Sequence, residues 1–308
     1  MNINKTHPEL RSFARWAPAF SYEKPLTRMI VNNLVKLIPS FKGDKDIKVS
    51  WIDHGQFRSK IYQPTVAQSD AAMLWIHGGG YICFNANLDD RTMRMFIEHL
   101  GITIISVDYR LAGVKPFPAA LDDVAVSWQW LQDNAEALGV NPQRVFIAGS
   151  SAGGGLTATL AQRLYDGGGQ QPLAQLLLCP MLDDRTALRE DLTEENHFVW
   201  TNRNNRGGWA CYLDQPPGMA EAPAYSVAAR RESLEGLPEA WMGIGDIDLF
   251  YEECVAYAER LNASGVPCKL LVTEGGPHAF EDSVPKSSPS QAHWDALFKF
   301  MRRILQQN

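Results

Sequence analysis

A chain of 308 residues with 45% hydrophobic and 21% charged side chains is long enough for one large α/β domain or two smaller ones, and has the balance of a soluble globular protein. Its formal net charge of -6 argues against a nucleic-acid surface and against a polybasic membrane contact. The five cysteines, Cys83, Cys179, Cys211, Cys254 and Cys268, are odd in number and scattered, with no C-x-x-C pair, which favours a reducing compartment over a disulfide framework. The N-terminal run MNINKTHPELRSF lacks an apolar signal core and no window approaches a membrane span, so a soluble cytoplasmic protein is expected.

Residues 1–44 read as irregular to helical, with Leu26, Ile30, Leu34, Leu37 and Ile38 forming the stripe of an amphipathic helix that Pro39 closes. Ile47 to Ile52 and Phe57 to Tyr62 alternate about the turn Asp53-His54-Gly55, which predicts a hairpin. Beyond it, short apolar runs alternate with helical stretches. The predicted strands are Ala71 to Ile76, Ile102 to Val107, Arg144 to Ala148, Ala174 to Cys179, Ala240 to Ile244 and Cys268 to Thr273. Helical faces are carried by Leu121, Val124, Trp128 and Leu131, by Val255, Ala258 and Leu261, and by Trp294, Leu297, Phe298, Met301, Ile304 and Leu305. Ser288 is the expected N-cap of the last helix, with Pro289 at its first position. Strands apolar on both faces that alternate with helices imply an α/β fold: an eight-stranded, mostly parallel sheet flanked by helices, its first two strands antiparallel.

One connection is too long for its place. About 60 residues separate Cys179 from Ala240, and they carry Phe198, Trp200, Trp209 and Tyr212 with Arg203, Arg206 and Gly207-Gly208. Two readings stay open, helical surface decoration or a lid that offers aromatic walls to a substrate.

The turn Gly149-Ser150-Ser151-Ala152-Gly153 joins a predicted strand to a helix running from Ala152 to Leu164, and it reads G-x-S-x-G with Ser151 at its centre. In a nucleophile elbow the central residue is strained and its hydroxyl stands clear of the sheet, while small neighbours let strand and helix approach. A Walker loop is excluded, because Gly154 is followed by Gly155 and Leu156 rather than by Lys and Ser or Thr. Gly153 to Ala158 fits a dinucleotide G-x-G-x-x-A, but it starts inside the helix and lacks the acidic residue expected downstream. No cofactor and no metal are called for.

A serine needs a base, and the base an orienting carboxylate. Of the 7 histidines, His77 and His278 each end a strand, where ligands bind in doubly wound folds. The other five, His7, His54, His99, His197 and His293, lie in turns, in helices or in segments outside the sheet. His278 also follows Ser151, as the chain order Ser, Asp or Glu, His requires. The loop after Ala240 to Ile244 offers Asp246 and Asp248. Asp248 is preferred, with Asp246 capping the loop, though chemistry alone does not choose. His77-Gly78-Gly79-Gly80 follows a strand and supplies backbone amides without Cβ atoms for an oxyanion, with the amide of Ala152 as a second source.

With these residues in hand, the chain resembles the hormone-sensitive-lipase-like (family IV) carboxylesterases of the α/β-hydrolase fold. The resemblance runs from Met73 to Phe280. It rests on His77 to Gly80, the run Asp108-Tyr109-Arg110-Leu111-Ala112, Phe117-Pro118-Ala119-Ala120 with Asp122 and Asp123, the elbow, and G-x-x-H-x-F at Gly275 to Phe280. The family's Asp-Pro-Leu-x-Asp-Glu motif aligns with Asp248-Leu249-Phe250-Tyr251-Glu252-Glu253, which supports Asp248 over Asp246. The resemblance implies a triad of Ser151, Asp248 and His278, oxyanion donors at Gly79, Gly80 and Ala152, and a cap over the pocket. The cap would comprise residues 1–44 and 183–225, and the catalytic domain residues 45–182 and 226–308. Three departures stand out: Leu249 for the usual proline, Ser150 for Asp, Glu or Thr, and Gly113-Val114-Lys115-Pro116 for the usual Pro-Glu step.

The function expected is hydrolysis of carboxylic esters with short to medium acyl chains through an acyl-enzyme, with a small-molecule ester as partner, no nucleic acid or membrane, and a homodimer as the family often forms. Amidase, thioesterase or lactonase activity would use the same machinery, and a non-catalytic receptor on the same scaffold is the reading from another class. Activity is expected to fall on the acid side near the reference imidazole pKa of about 6.5.

Overall fold

The computed structural model describes residues 3–17, 20–193 and 197–307. The first two residues of the N-terminal run and residues 194–196 of the long insertion lie outside the described residues. Eight strands form one sheet: β1 (Ile47–Asp53), β2 (Arg58–Pro64), β3 (Ala72–Ile76), β4 (Thr103–Asp108), β5 (Val145–Ser150), β6 (Gln175–Leu178), β7 (Ala240–Gly245) and β8 (Cys268–Thr273). The order is β1-β2-β4-β3-β5-β6-β7-β8. β2 runs antiparallel to both β1 and β4, and the other neighbours are parallel. The helices are α1 (Arg11–Trp16), α2 (Pro25–Val35), α3 (Asp90–Leu100), α4 (Ala119–Asp133), α5 (Ala152–Asp166), α6 (Asn202–Leu213), α7 (Tyr251–Ala263), α8 (Phe280–Ser283) and α9 (Ser288–Gln307).

Strand alternation builds two cores. Leu74 and Ile76 of β3, Ile105 and Val107 of β4, and Ile147 of β5 join Leu121, Val124, Leu156 and Leu261 on one face. Their neighbours Met73, Trp75, Ile104, Phe146 and Ala148 meet Phe96, Leu297, Phe298 and Met301 on the other. Because both faces are covered, the central strands are mostly apolar on both, which is why they read as runs rather than alternations. From β3 the chain crosses to β4 on one side and then returns to β5 on the other. That reversal opens a crevice beyond the carboxyl ends of β3 and β5.

Two expectations change. The stripe Leu26, Ile30, Leu34, Leu37 and Ile38 faces solvent, and α2 turns Arg28, Val31, Asn32 and Val35 inward instead. Polar anchors set this rotation: Asn32 Nδ2 donates to the Ile82 carbonyl at 3.1 Å, its Oδ1 accepts from the Phe84 amide at 3.0 Å, and Arg28 holds the carbonyls of Tyr22 and Glu23. Ser288 is already the first residue of α9 and donates its hydroxyl to Glu9, whereas Ser287 takes the capping role by accepting from the Ser290 amide at 3.4 Å. Ser288 and Pro289 located the helix start but left the capping residue one position away.

The insertion is tied both to the sheet edge and to the N-terminal segment. Trp209 and Tyr212 of α6 pack on Tyr81, with the Tyr212 ring 4.0 Å from the Tyr81 ring. Asn204 accepts from the Tyr22 amide at 2.8 Å and donates to the Phe20 carbonyl at 2.9 Å.

The backbone approaches very closely at the turn from β5 to α5. A Cβ on Gly149 would stand 2.4 Å from the Gly153 carbonyl oxygen, and one on Gly153 would stand 2.0 Å from that of Ile76. Both obstacles are backbone and cannot rotate aside. Gly153→Ala is therefore expected to cost at least the upper part of the range of about 1–3 kcal/mol typical of overpacking. Gly169→Ala, where a Cβ would meet nothing within 4 Å, should stay within about 0.5 kcal/mol. Urea unfolding midpoints of the two variants check this, and equal midpoints would contradict it.

Candidate active site

Four of the loops that leave the carboxyl edge of the sheet converge on Ser151. The elbow holds this residue at φ 56°, ψ -119°, with its amide donating to the Leu178 carbonyl at 2.8 Å. The conformation points the hydroxyl away from the sheet, toward the loop that follows β8. There the His278 Nε2 lies 2.9 Å from Ser151 Oγ, and its Nδ1 lies 2.7 Å from Asp248 Oδ2. An ionised carboxylate only accepts, so the Nδ1 carries the proton and Nε2 is left to accept from the hydroxyl. All three side chains are buried. Asp248 is held by a second bond, the Phe250 amide donating to its Oδ1 at 2.9 Å.

Of the two carboxylates on the loop after β7, Asp248 is the one that meets His278. Asp246 accepts from the Gly275 amide at 2.6 Å and so ties the β7 loop to the loop that carries His278, without touching the imidazole. Glu253 plays a similar part: buried and pushed well above the usual carboxyl range by that burial, it accepts from the amides of Leu182 and Asp183 and from the Thr186 hydroxyl. It thereby fixes the chain that leaves β6.

The glycine loop sits directly over the nucleophile. A Cβ on Gly78 would stand 3.3 Å from the Ser151 Cβ. Gly79 (φ 113°) and Gly80 (φ 59°) both take left-handed backbone, which glycine adopts without penalty. The Gly79 carbonyl is turned to the amides of Ile82 and Cys83, at 3.0 and 2.9 Å. His77 is structural. Its ring stacks on Tyr109 at 4.2 Å, its Nδ1 lies 2.7 Å from the Gly78 carbonyl oxygen, and burial lowers its pKa, so it stays neutral. The Tyr109 hydroxyl in turn donates to the His77 carbonyl at 3.1 Å. Arg110, next in the chain, grips the Asp123 carboxylate through Nε and Nη2 at 3.0 and 2.7 Å. The Asp108-Tyr109-Arg110 run thus acts as the buttress of the glycine loop.

Burial disfavours a charged His278, but Asp248 and then Cys179 together more than offset it, and the imidazole pKa lies well above its usual value. Two neighbours escaped sequence reasoning. Cys179, read as a small hydrophobe in a strand, lies against His278, with its Sγ 3.8 Å from Glu281 Oε1 and 3.7 Å from Ser150 Oγ. Glu281 is buried, and its carboxyl is pushed up to about 7 by that burial and then by Asp282. The signal for Cys179 was its place at the carboxyl end of β6, on the edge where His278 and Ser151 also lie. Among the described residues, Cys179, Asp248 and His278 are the one group of three side chains able to share a metal ion. Two of the three, Asp248 and His278, are already hydrogen-bonded to each other.

Ser151, His278 and Gly79 open on a cavity of about 390 Å³ walled by Tyr22, Phe84 and Trp200. Of the aromatic residues singled out in the insertion, only Trp200 reaches it. Trp209 and Tyr212 belong to the core, and Phe198 lines a smaller cavity of about 230 Å³ behind Asp248. Ser150, one of the three sequence departures, also lines the larger cavity, while Leu249 is buried.

Comparison with known proteins agrees with this geometry. Residues 73–282 match the α/β-hydrolase fold family. The esterase LipI of Mycobacterium tuberculosis is 30% identical over 220 residues, 70% of this chain and 68% of that protein. The ethyl acetate hydrolase of Pseudomonas putida is 29% identical over 242 residues, 76% of this chain and 74% of that protein. Among solved structures, a bacterial heroin esterase superposes with a TM-score of 0.90 at 25% identity, covering 99% of both chains. Esterase LipW of Mycobacterium marinum gives a TM-score of 0.84 at 28% identity over 99% of this chain and 96% of that one. The chain belongs to the hormone-sensitive-lipase-like carboxylic ester hydrolases of the α/β-hydrolase fold.

Proposed function

We propose that the protein hydrolyses carboxylic esters of short to medium acyl chain through an acyl-enzyme on Ser151. The observation that carries this is the unbroken chain of hydrogen bonds from Asp248 through His278 to Ser151, ending at a cavity. Ser151 Oγ attacks the ester carbonyl carbon as its proton passes to His278 Nε2. The carbonyl electron pair moves onto oxygen, where the amides of Gly79, Gly80 and Ala152 receive it. When the tetrahedral intermediate collapses, the C–O bond to the alcohol breaks and His278 protonates the departing oxygen. Water then repeats the sequence on the acyl-serine, giving up its proton to His278 and releasing the acid and free Ser151. Asp248 keeps the imidazole in the tautomer that can accept, and stabilises the imidazolium between steps.

Residues 1–44 and 183–225 act as the cap of this site. Tyr22 and Trp200, one from each part, stack at 5.8 Å in the wall of the cavity, which supports the division. A cavity of about 390 Å³ is near the lower end of ligand pockets and suits short or medium acyl groups. The five cysteines carry free thiols, in keeping with a cytoplasmic setting, and among the described residues no helix is long and apolar enough to cross a membrane.

Two measurements test the mechanism. A fluorophosphonate should modify Ser151 and no other residue, and Ser151→Ala should abolish labelling and reduce p-nitrophenyl ester turnover by about 10⁴-fold or more. Labelling elsewhere, or turnover that survives the substitution, would exclude the acyl-serine.

The pH profile tests the base. Only neutral His278 can accept the serine proton, so activity is present above its pKa and is lost as pH falls through it. Because Asp248 raises that pKa, the acid limb of kcat/KM should have its midpoint above 6.5 rather than near it. In Asp248→Asn the midpoint should move down while the rate drops by about 10⁴-fold. A wild-type midpoint at or below 6.5 would contradict the pairing.

A further inference from the structure

The cavity over Ser151 holds one charged group that ester hydrolysis leaves unused. Asp89 closes the short turn Ala86–Asp89 in front of α3 and lines the same cavity as Ser151, Gly79 and His278. The other charges there are matched. Asp282 is paired with Arg91 at 3.1 Å and accepts from the Thr92 hydroxyl at 2.6 Å, and Asp90, next in the chain, is consumed by Lys60 at 2.5 Å and by the Tyr62 hydroxyl. Asp89 has a neutral partner only: its Oδ2 accepts from Trp75 Nε1 at 2.6 Å, and among the described residues it forms no ion pair.

A carboxylate placed in this way is costly for the empty protein. Burial, and then the charge of Asp282, push its pKa up to about 7. The bond from Trp75 Nε1 does not itself require the charge, since a neutral acceptor would serve it equally well. A cation brought in by a ligand would remove the cost.

The wall of the cavity is built for the same ligand. Tyr22 is at its centre, stacked on Trp200 at 5.8 Å and met edge-on by Phe84 at 6.2 Å. Ring faces attract a cation with few hydrogen-bond needs, and they exclude the water that would otherwise screen it. Ammonium groups bearing methyls fit that description better than a strongly hydrated lysine-type head.

We propose that the substrate is an ester with a methylated ammonium group on one arm, held by Asp89 and the rings of Tyr22, Phe84 and Trp200 while its carbonyl lies at Ser151. This rests on the ester-hydrolase reading and narrows it to a substrate class. Asp89 then acts as the specificity-determining residue.

Charge-matched pairs of esters test it, because replacing the ammonium nitrogen by carbon keeps the shape. On the alcohol arm the pair is acetylcholine and 3,3-dimethylbutyl acetate. On the acyl arm it is the p-nitrophenyl esters of 4-(trimethylammonio)butyrate and 5,5-dimethylhexanoate. Assays of the full chain at pH 8 and low salt present Asp89 ionised. In at least one pair the cationic ester should show a kcat/KM at least roughly tenfold above its carbon isostere, as expected for a desolvated carboxylate and aromatic faces acting together. Asp89→Asn should bring that ratio close to one, and any general loss of activity cancels in the ratio. A wild-type ratio near or below one in both pairs, or a ratio that Asp89→Asn leaves unchanged, overturns the proposal while leaving the esterase intact. If no ester is hydrolysed, calorimetric titration of benzyltrimethylammonium decides separately. Binding that disappears in Asp89→Asn supports the cation pocket without the enzyme, and absence of binding overturns it.

Discussion

The site depends on a packing constraint before it depends on any charge. β5 and α5 cross so closely at Gly149 and Gly153 that the chain between them must turn within Ser151 and Ala152. Ser151 takes left-handed backbone in consequence, a conformation that costs a residue with a Cβ about 1–3 kcal/mol and persists only where its surroundings leave no alternative. Here the surroundings are β5, which pairs β3 and β6, and a helix buried from Ala152 to Gln162. The stability of two cores is thus used to hold one hydroxyl in place. With the hydroxyl fixed, the imidazole and the glycine loop need only be delivered by neighbouring strand ends.

That delivery explains why the polar members of the site are safe to bury. β7 and β8 are adjacent and parallel, so the loops that follow them open side by side, one with Asp248 and the other with His278. A second link, in which the Gly275 amide donates to Asp246, fixes the separation of those loops independently of the Asp248–His278 pair. Around the site, Glu253 is held by two amides, Asp184 by Arg230 at 2.8 Å and Asp123 by Arg110, while Glu281 meets the Cys179 thiol at 3.8 Å. Asp89 differs in lining the cavity itself, where among the described residues its partner is a neutral indole.

Most of this was legible because the features have a local cause. A strand buried on both faces is mostly apolar on both, and the elbow must be small at Gly149 and Gly153, so both leave a mark on a few consecutive residues. The choice of Asp248 over Asp246 needed the family resemblance, because both carboxylates follow the same strand and only tertiary contact separates their roles. The orientation of α2 was not legible. Its apolar stripe suggested a core face, yet Asn32 and Arg28 find backbone partners on the loop after the glycines and at Tyr22, and these rotate the helix the other way. Cys179 was equally hidden, because a thiol that ends an apolar run looks the same in sequence whether it packs in the core or against an imidazole.

The insertion is coupled to the glycine loop by one contact that neither would reveal alone. A Cβ on Gly80 would stand 2.1 Å from the ring of Trp200, and one on Gly208 would stand 2.8 Å from the Gly80 carbonyl oxygen. Gly80 is therefore glycine for two reasons, its left-handed φ and the indole and helix pressed against it. The consequence is that the wall of the cavity and the loop over the nucleophile are a single packed unit. A side chain that altered the position of Trp200 to admit a different substrate would also press on the backbone beside Ser151. In this fold selectivity and catalysis are mechanically joined at Gly80, whereas Asp89, on the turn before α3, lies off that contact and is free to vary with substrate charge alone.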